Sequence, residues 1–315
     1  MSALLAASCL LGSLLQSLPP VAAEEVVAMA LLDEGAEPRR ALALAHRPGW
    51  AQRARLSLAS EVETVSGGEL RTEYGPEVVV PLRLALPASG LVEGGVRFRR
   101  GPGRLAPPDP WASEGVARYR LRVGRPEVRA ADEDGVEDAL RLAEALRGLS
   151  GREGEVVLAS TGALVEARMD LRGGTSPKLA ALLGEGMSSD WLATPQFPDE
   201  PVGPGARWTV ARAHGPGVLS VITYELVELR GPHGRLRFQL HSRQAGGARE
   251  PVAEGELRFD LRRPLPERME ALFTSRATPG LREGRRLEVV RRTRVTLEAG
   301  GLQPLAQRVR VAVPP

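Results

Sequence analysis

The sequence predicts a mainly β chain of the α+β type: an antiparallel, meandering and curved sheet, or sheets, with one or two packing helices. Three observations predict it. Apolar and charged residues alternate with period two over most of the chain, only two stretches carry the three-and-four spacing of an amphipathic helix, and Gly-Pro or Pro-Gly pairs punctuate the alternating runs.

The chain begins with an apolar run from Ala3 to Leu18, followed by Pro19-Pro20 and by Val21-Ala22-Ala23 ahead of Glu24-Glu25. Val21 and Ala23 stand where a signal peptidase reads small residues. Residues 1–23 are therefore expected to be a secretory signal peptide, although no positive charge precedes the apolar run. The run is shorter than a comfortable membrane span and ends in two prolines. Lipid attachment through Cys9 is not expected, because too few residues precede it to hold a charged start and an apolar region of about 7–15 residues. Cys9 is the only cysteine, so the exported chain would have no disulfide and would rely on core packing. No later stretch is apolar enough to cross a membrane as a helix. Export to the periplasm or the extracellular space is the expected localisation.

The remainder divides into a β-rich half with helices, 24–193, and an antiparallel β half, 194–315. In the first half, Val26 to Leu32 and Arg40 to Leu44 flank the turn residues 33–38 and read as strand, turn, strand. Ala54, Leu56 and Leu58 alternate with arginine and serine, and Val80, Leu82, Leu84 and Leu86 alternate around Pro81. Proline cannot donate to a ladder, so Pro81 predicts an edge position. After a loop-rich patch between Leu91 and Pro110, Ala117, Tyr119, Leu121 and Val123 face one way, with Arg118, Arg120 and Arg122 facing the other. Val136, Leu140, Ala143 and Leu146 then lie three or four apart behind Asp134 and Glu137. That pattern predicts a helix over 135–149 with a capping box. A hairpin follows around Ser160-Thr161-Gly162, and a second helix is expected from Pro177 to Leu192, weakened by Gly184 and Gly186.

The stretch from Phe197 to Val210 holds Pro198, Pro201, Gly203, Pro204 and Gly205 before Trp208. Proline fixes its own backbone and extends the residue before it, while glycine takes angles that other residues avoid, so this segment enforces a turn that delivers Trp208 onto a strand. Beyond it the alternation is cleanest. Trp208 with Val210, then Ile222, Tyr224 and Leu226, then Leu236, Phe238 and Leu240, then Leu257, Phe259 and Leu261 each form the apolar face of a strand, as do Thr293, Val295 and Leu297 and finally Val309, Val311 and Val313. One-sided alternation of this kind belongs to antiparallel sheets that cover a core on one face.

Through Pro198, Pro201, Val202, Gly205 and Trp208, with Tyr224-Glu225-Leu226 in a later strand, the chain resembles a family of exported bacterial proteins known only as a domain of unknown function. The resemblance spans about Glu24 to Gly300. It implies a β-rich first half and meandering strands after the loop, and it implies no activity. Relatives tend to place an aspartate in the hairpin turn where this chain has Ser160-Thr161-Gly162, residues that also bond local backbone groups.

Composition and spacing argue against several chemistries. The formal charge is +3 and the pI about 9.6, yet Lys178 is the only lysine, Ile222 the only isoleucine, and asparagine is absent. Arginine thus replaces lysine by codon bias, and a solvated surface accounts for the basicity, so nucleic acid is not expected as a partner. There is no nucleophile elbow and, after processing, no thiol. His46, His214 and His233 adjoin turn residues and His241 shares a strand face with arginines, so all four are expected to be exposed. No catalytic residue is therefore assigned and no enzymatic activity is expected. His233 and His241 are too far apart along an extended strand to share an ion, and Ala130 stands where the acidic run 132–138 would need its first calcium ligand. No metal or other cofactor is expected. The Gly-Pro-Gly triplets at 101, 203 and 215 lack the donors and the Lys-Ser/Thr ending of a phosphate loop.

The function expected from these readings is an exported cell-envelope protein in a non-catalytic binding or structural role, with an envelope protein or an apolar ligand as partner. Two more specific readings remain open. One is a carrier of a lipid or other apolar ligand on the curved sheet, with Trp208, Tyr224 and Phe238 as candidate lining residues. The other is a polyanion-binding surface built on Arg235, Arg237 and Arg243, with Arg286, Arg292 and Arg294 as a second arginine face.

Overall fold

A computed structural model describes residues 25–66, 68–92, 115–169, 194–213, 218–244, 250–277, 281–282 and 285–305. The expected signal peptide, the patch 93–114, the second helix, Gly215-Pro216 with His214, and the last strand lie outside the described residues.

The alternating runs become strands that hydrogen-bond antiparallel throughout. They are β1 (Glu25–Asp33), β2 (Trp50–Ser66), β3 (Glu69–Tyr74), β4 (Glu77–Leu86), β5 (Leu91–Val92), β6 (Val116–Val123), β7 (Glu127–Arg129), β8 (Glu153–Ala159) and β9 (Leu164–Met169), followed by β10 (Arg207–Ala213), β11 (Val218–Arg230), β12 (His233–Gln244), β13 (Glu250–Asp260), β14 (Arg268–Ala277), β15 (Leu281–Arg282) and β16 (Arg285–Pro304). Their order is β1-β10-β11-β12-β13-β14-β16-β2-β4-β6-β8-β9, with β3, β5, β7 and β15 as side pairings. Among the described residues β1 and β9 end the path without pairing to one another, so the sheet these strands form is open. It also joins strands of both halves, through β1 with β10 and β16 with β2.

Register explains why one face is apolar. Leu58 stands opposite Val295 and Val78, and Leu56 opposite Leu297 and Val80. Because strand side chains alternate faces, these partners share one side, and the arginines and glutamates between them share the other. On the apolar side, residues from β2, β4, β6, β8, β10 to β14 and β16 form one core cluster with Leu42, Leu44, Phe197, Val202, Leu261 and Leu265 from the connecting segments.

The Pro/Gly loop is fastened from two sides. Gly203 N–H donates to Glu34 O at 2.9 Å and Ala36 N–H to Pro204 O at 2.8 Å, while Arg40 and Val202 exchange backbone bonds of 3.0 and 2.9 Å. The expected strand over 40–44 is corrected here. Among the described residues only the single bridge from Arg40 to Val202 forms. The rest is a strap that buries Leu42 and Leu44 and bonds non-adjacent elements, Leu44 N–H to Ser160 O at 2.7 Å and Ala45 N–H to Leu261 O at 2.6 Å. Gln52, fully buried, ties the far side of the core: its amide donates to Leu265 O and Gly300 O at 3.2 Å and accepts from Leu265 N–H at 3.0 Å.

Helix α1 (Val136–Leu146) is shorter than 135–149 and turned relative to the expected stripe. Leu146 is buried as expected, but Val136 and Leu140 are 49% and 66% exposed, and Ala139, outside the expected stripe, is buried in their place. Leu142 and Leu146 pack with Val78, Val80, Val123 and Val128. Positions 139, 142 and 146 also recur at three-and-four spacing, so periodicity admits both stripes and tertiary packing selects one. The capping box is absent. Asp132, rather than Asp134, accepts the Gly135 N–H at 2.8 Å. Pro81 is likewise corrected: β4 is an interior strand, and Pro81 sits at the break where its neighbour changes from β6 (opposite Leu82 to Ala85) to β7 (opposite Glu77 to Val79). The missing N–H falls where a ladder bond is not required.

Candidate functional site

The apolar face of the sheet holds an aromatic ladder built by register. Trp208 is opposite Tyr224, and Tyr224 opposite Phe238. The Trp208 and Tyr224 rings stack with centroids 5.5 Å apart, and Tyr224 and Phe238 are tilted at 6.4 Å. Trp208 is 0% exposed, and its indole N–H donates to Gln196 O at 2.7 Å. Tyr224 is buried as well, whereas Phe238 is half-buried. Gly255 lies opposite Phe238 in β13, where an added Cβ would come within 2.6 Å of the Phe238 ring, so the ring lies over the glycine. On the same face Leu56, Leu58 and Phe273 are half-buried around the ladder's continuation through Ala271 and Val295. Sequence reasoning placed Trp208, Tyr224 and Phe238 on one face. It did not single out Leu56, Leu58 and Phe273, whose common ground with the ladder depends on the non-local pairings of β2, β14 and β16.

Of the arginine candidates, Arg235, Arg237, Arg292 and Arg294 lie on the opposite face, and the first three are matched with acids. Arg235 bonds Glu256 at 3.2 Å and lies 3.9 Å from Glu228. Arg237 stands opposite Glu225 and Glu256. Arg292 bonds Glu61 and Glu63 at 3.4 and 2.5 Å. A groove of about 580 Å³ runs past Arg207, Arg237 and Arg294, and Glu225, Glu254, Glu256 and Glu270 line it too. Arg243 pairs through its backbone with Leu219, and Arg286 with Leu281; their side chains lie outside the description. Acids distributed among these arginines neutralise the face locally, which the arginine positions alone did not reveal.

The histidine expectations need correction. His46 is half-buried: its Nε2 donates to Gly115 O at 3.0 Å, and its Nδ1 accepts from the Tyr119 hydroxyl at 2.8 Å. A carbonyl only accepts, which fixes this neutral tautomer. Burial lowers the His46 pKa from its ordinary 6.5, outweighing the upward pull of the Gly115 carbonyl, and burial pushes the Tyr119 hydroxyl up. Because the folded value lies below the unfolded one, the unfolded chain takes up this proton first as pH falls. The contribution of His46 is intact above about pH 6.5 and declines below it. Thermal melts across pH are expected to show this decline in the wild type and a shallower one in His46→Gln; identical profiles would exclude His46 as its source. His241 is also half-buried, with its Nδ1 enclosed. His233 is exposed, as expected.

His233, Asp260 and Glu267 bring ligand atoms within 4.8 Å of one another. The carboxylates are already engaged. Arg262 grips the 1% exposed Asp260 through Nε at 2.8 Å and a terminal nitrogen at 2.9 Å, and Arg263 bonds Asp260 at 3.1 Å and Glu267 at 3.0 Å. Burial alone would raise the Asp260 pKa, but the Arg262 bonds and the charges of both arginines bring it below the ordinary carboxylate range. Two guanidinium ions in contact oppose a cation there. The cluster is an ion-pair network that holds the β13–β14 connection.

No protein-family model matches the sequence, and no curated protein matches it. Among solved structures the chain is similar to lipovitellin, from a structure concerned with lipid–protein interactions, at a TM-score of 0.34 and 8% identity over 82% of this chain and 26% of that one. It is similar to a putative exported protein with a YmcC-like fold from Bacteroides fragilis at 0.28 and 9%, over 83% and 100% of the two chains. It is also similar to a DUF1329 family protein from Desulfovibrio piger at 0.15 and 10%, over 80% and 86%. At these scores the likenesses carry no argument about function. Among the described residues, no helix is long and apolar enough to cross a membrane.

Proposed function

We propose that this is an exported, non-catalytic cell-envelope protein that carries a lipid or other apolar ligand on the inner face of its open sheet. The observation that supports this reading is the set of large apolar side chains on that face, Leu56, Leu58, Phe238 and Phe273, that stay half-buried beside a fully packed core. An apolar ligand laid against them removes this area from water, at about 25 cal/mol per Å². Trp208 and Tyr224 act beneath that surface as its rigid support. The non-catalytic role is supported by the engagement of the titratable groups that meet: His46 with Tyr119 and Gly115, and Asp260 with Arg262 and Arg263.

Mass spectrometry of a solvent extract of the purified protein is expected to find co-purifying lipid, and an apolar fluorescent dye is expected to bind. Leu58→Ala should weaken dye binding about tenfold, given ~0.8 kcal/mol for each buried methylene. No extractable lipid together with no dye binding would sink the carrier reading.

A further inference from the structure

On the outer face, strand register generally sets acids against arginines. Arg55 is opposite Glu298, Arg120 opposite Glu155, Arg292 opposite Glu61, and Arg237 lies between Glu225 and Glu256. Two rows of arginines break this rule. In one, Arg235, Arg258 and Arg268 stand opposite one another on β12, β13 and β14, but Arg235 is ion-paired with Glu256 and Arg268 with Glu270. The other lies on β2, β4 and β6. Arg53 on β2 stands opposite Arg83 on β4, and Arg83 opposite Arg122 on β6; Glu153 on β8 is opposite Arg122 on its other side, and no acid is opposite Arg53 or Arg83. All three are exposed, and none has an ion pair among the described residues. Like charges directly opposite in an antiparallel sheet are destabilising, and this row lacks the ion pairs that offset the repulsion in the Arg235–Arg258–Arg268 row.

The row also borders a groove of about 400 Å³. Arg53, Arg55, Arg83 and Arg122 line it together with Pro81, Gly124 and one carboxylate, Glu298. Its position follows from the break in β4 pairing. β6 leaves the sheet after Val123, β7 joins at Glu127, and Gly124 N–H closes the gap with a 2.7 Å bond to Pro81 O. A side chain at 124 would run into Pro81, at 2.8 Å from its Cβ. Neighbouring strands are about 4.8 Å apart, so the row presents planar guanidinium forks at a spacing suited to adjacent phosphoryl groups, which arginine binds bidentately.

We propose that the Arg53–Arg83–Arg122 row is a binding site for a multiply charged phosphoryl ligand, on the face opposite the apolar surface and independent of it. Phosphoryl oxygens supply the negative charge that no strand partner brings to Arg53 or Arg83, and the single carboxylate lining the groove leaves it strongly positive. The larger groove, where four glutamates accompany three arginines, is not such a site.

The test compares Arg53→Gln/Arg83→Gln/Arg122→Gln with Arg207→Gln/Arg237→Gln/Arg294→Gln, which removes the same number of exposed charges from the other groove. Melting curves establish that both variants are folded. Calorimetry with inorganic pyrophosphate, and co-sedimentation with phosphatidylcholine vesicles carrying phosphatidic acid, supply the two binding measurements. The row variant is expected to lose about tenfold or more in affinity, and the control is expected to retain wild-type binding. Binding of pyrophosphate supports a soluble phosphoryl ligand, and binding of the vesicles alone supports a lipid headgroup. Equal losses in the two variants, or no binding of either probe by the wild type, would overturn the proposal.

Discussion

Trp208→Ala is expected to lower the free energy of unfolding by about 3–5 kcal/mol, the range for removing a large buried aromatic side chain. Trp208 is 0% exposed, stacks on Tyr224 and satisfies Gln196 O through its indole N–H. Its removal therefore leaves a cavity, an unstacked ring and an unpaired buried carbonyl together. At roughly 2–4 °C for each kcal/mol in a chain of this size, Tm should fall by on the order of ten degrees. Trp208→Phe restores a ring without the N–H and should recover part of the loss. Thermal and denaturant melts followed by circular dichroism provide the check, and an unchanged midpoint for Trp208→Ala would show that the ring supports nothing.

Gly203→Ala should cost at least about 3 kcal/mol, toward the upper end of overpacking penalties, for a different reason. A Cβ at Gly203 would run into Ala36 O, and one at Gly35 would run into Gly203 O. Both obstacles are backbone, held by the bonds from Gly203 to Glu34 and from Ala36 to Pro204, so neither can rotate aside. Gly205 supplies the control two residues away. Its φ of +88° is left-handed, but an added Cβ meets nothing within 4 Å. Gly205→Ala should therefore cost only the conformational penalty of about 1–2 kcal/mol. Equal losses for the two variants in denaturant titrations would mean that the crossing of segments 33–38 and 201–206 is looser than the bonds indicate.

Much of the fold was legible because a strand writes its two faces into adjacent residues. Leu236, Phe238 and Leu240 alternate with Arg235, Arg237 and Gln239 whatever lies beside them, so β12 and its apolar face could be read locally. The strap over 40–45 was not legible, since its pattern of alternate apolar residues is also that of a strand. Its bonds go to Ser160 and Leu261, far away in sequence. The stripe of α1 was ambiguous for a related reason: Ala139, Leu142 and Leu146 match a helical period as well as Val136, Leu140, Ala143 and Leu146 do. His46 adjoins Arg47-Pro48-Gly49 and looked exposed, but Tyr119, which encloses it, lies on β6.

The candidate sites divide along the same line. Residue order by itself determined that Trp208, Tyr224 and Phe238 belong to one apolar face, that Arg118, Arg120 and Arg122 belong to a charged one, and that prolines and glycines around 197–206 force a turn. These are consequences of two-residue periodicity and of backbone chemistry that each residue carries with it. Tertiary structure alone decided which strands are neighbours and in what register. It set Glu256 opposite Arg237 yet Arg83 opposite both Arg53 and Arg122, and it gathered Leu58, Phe238 and Phe273 on a common surface. Cross-strand partners are fixed by hydrogen-bonded pairing between segments remote in sequence, so the charge and apolarity of a sheet surface follow from register rather than from composition.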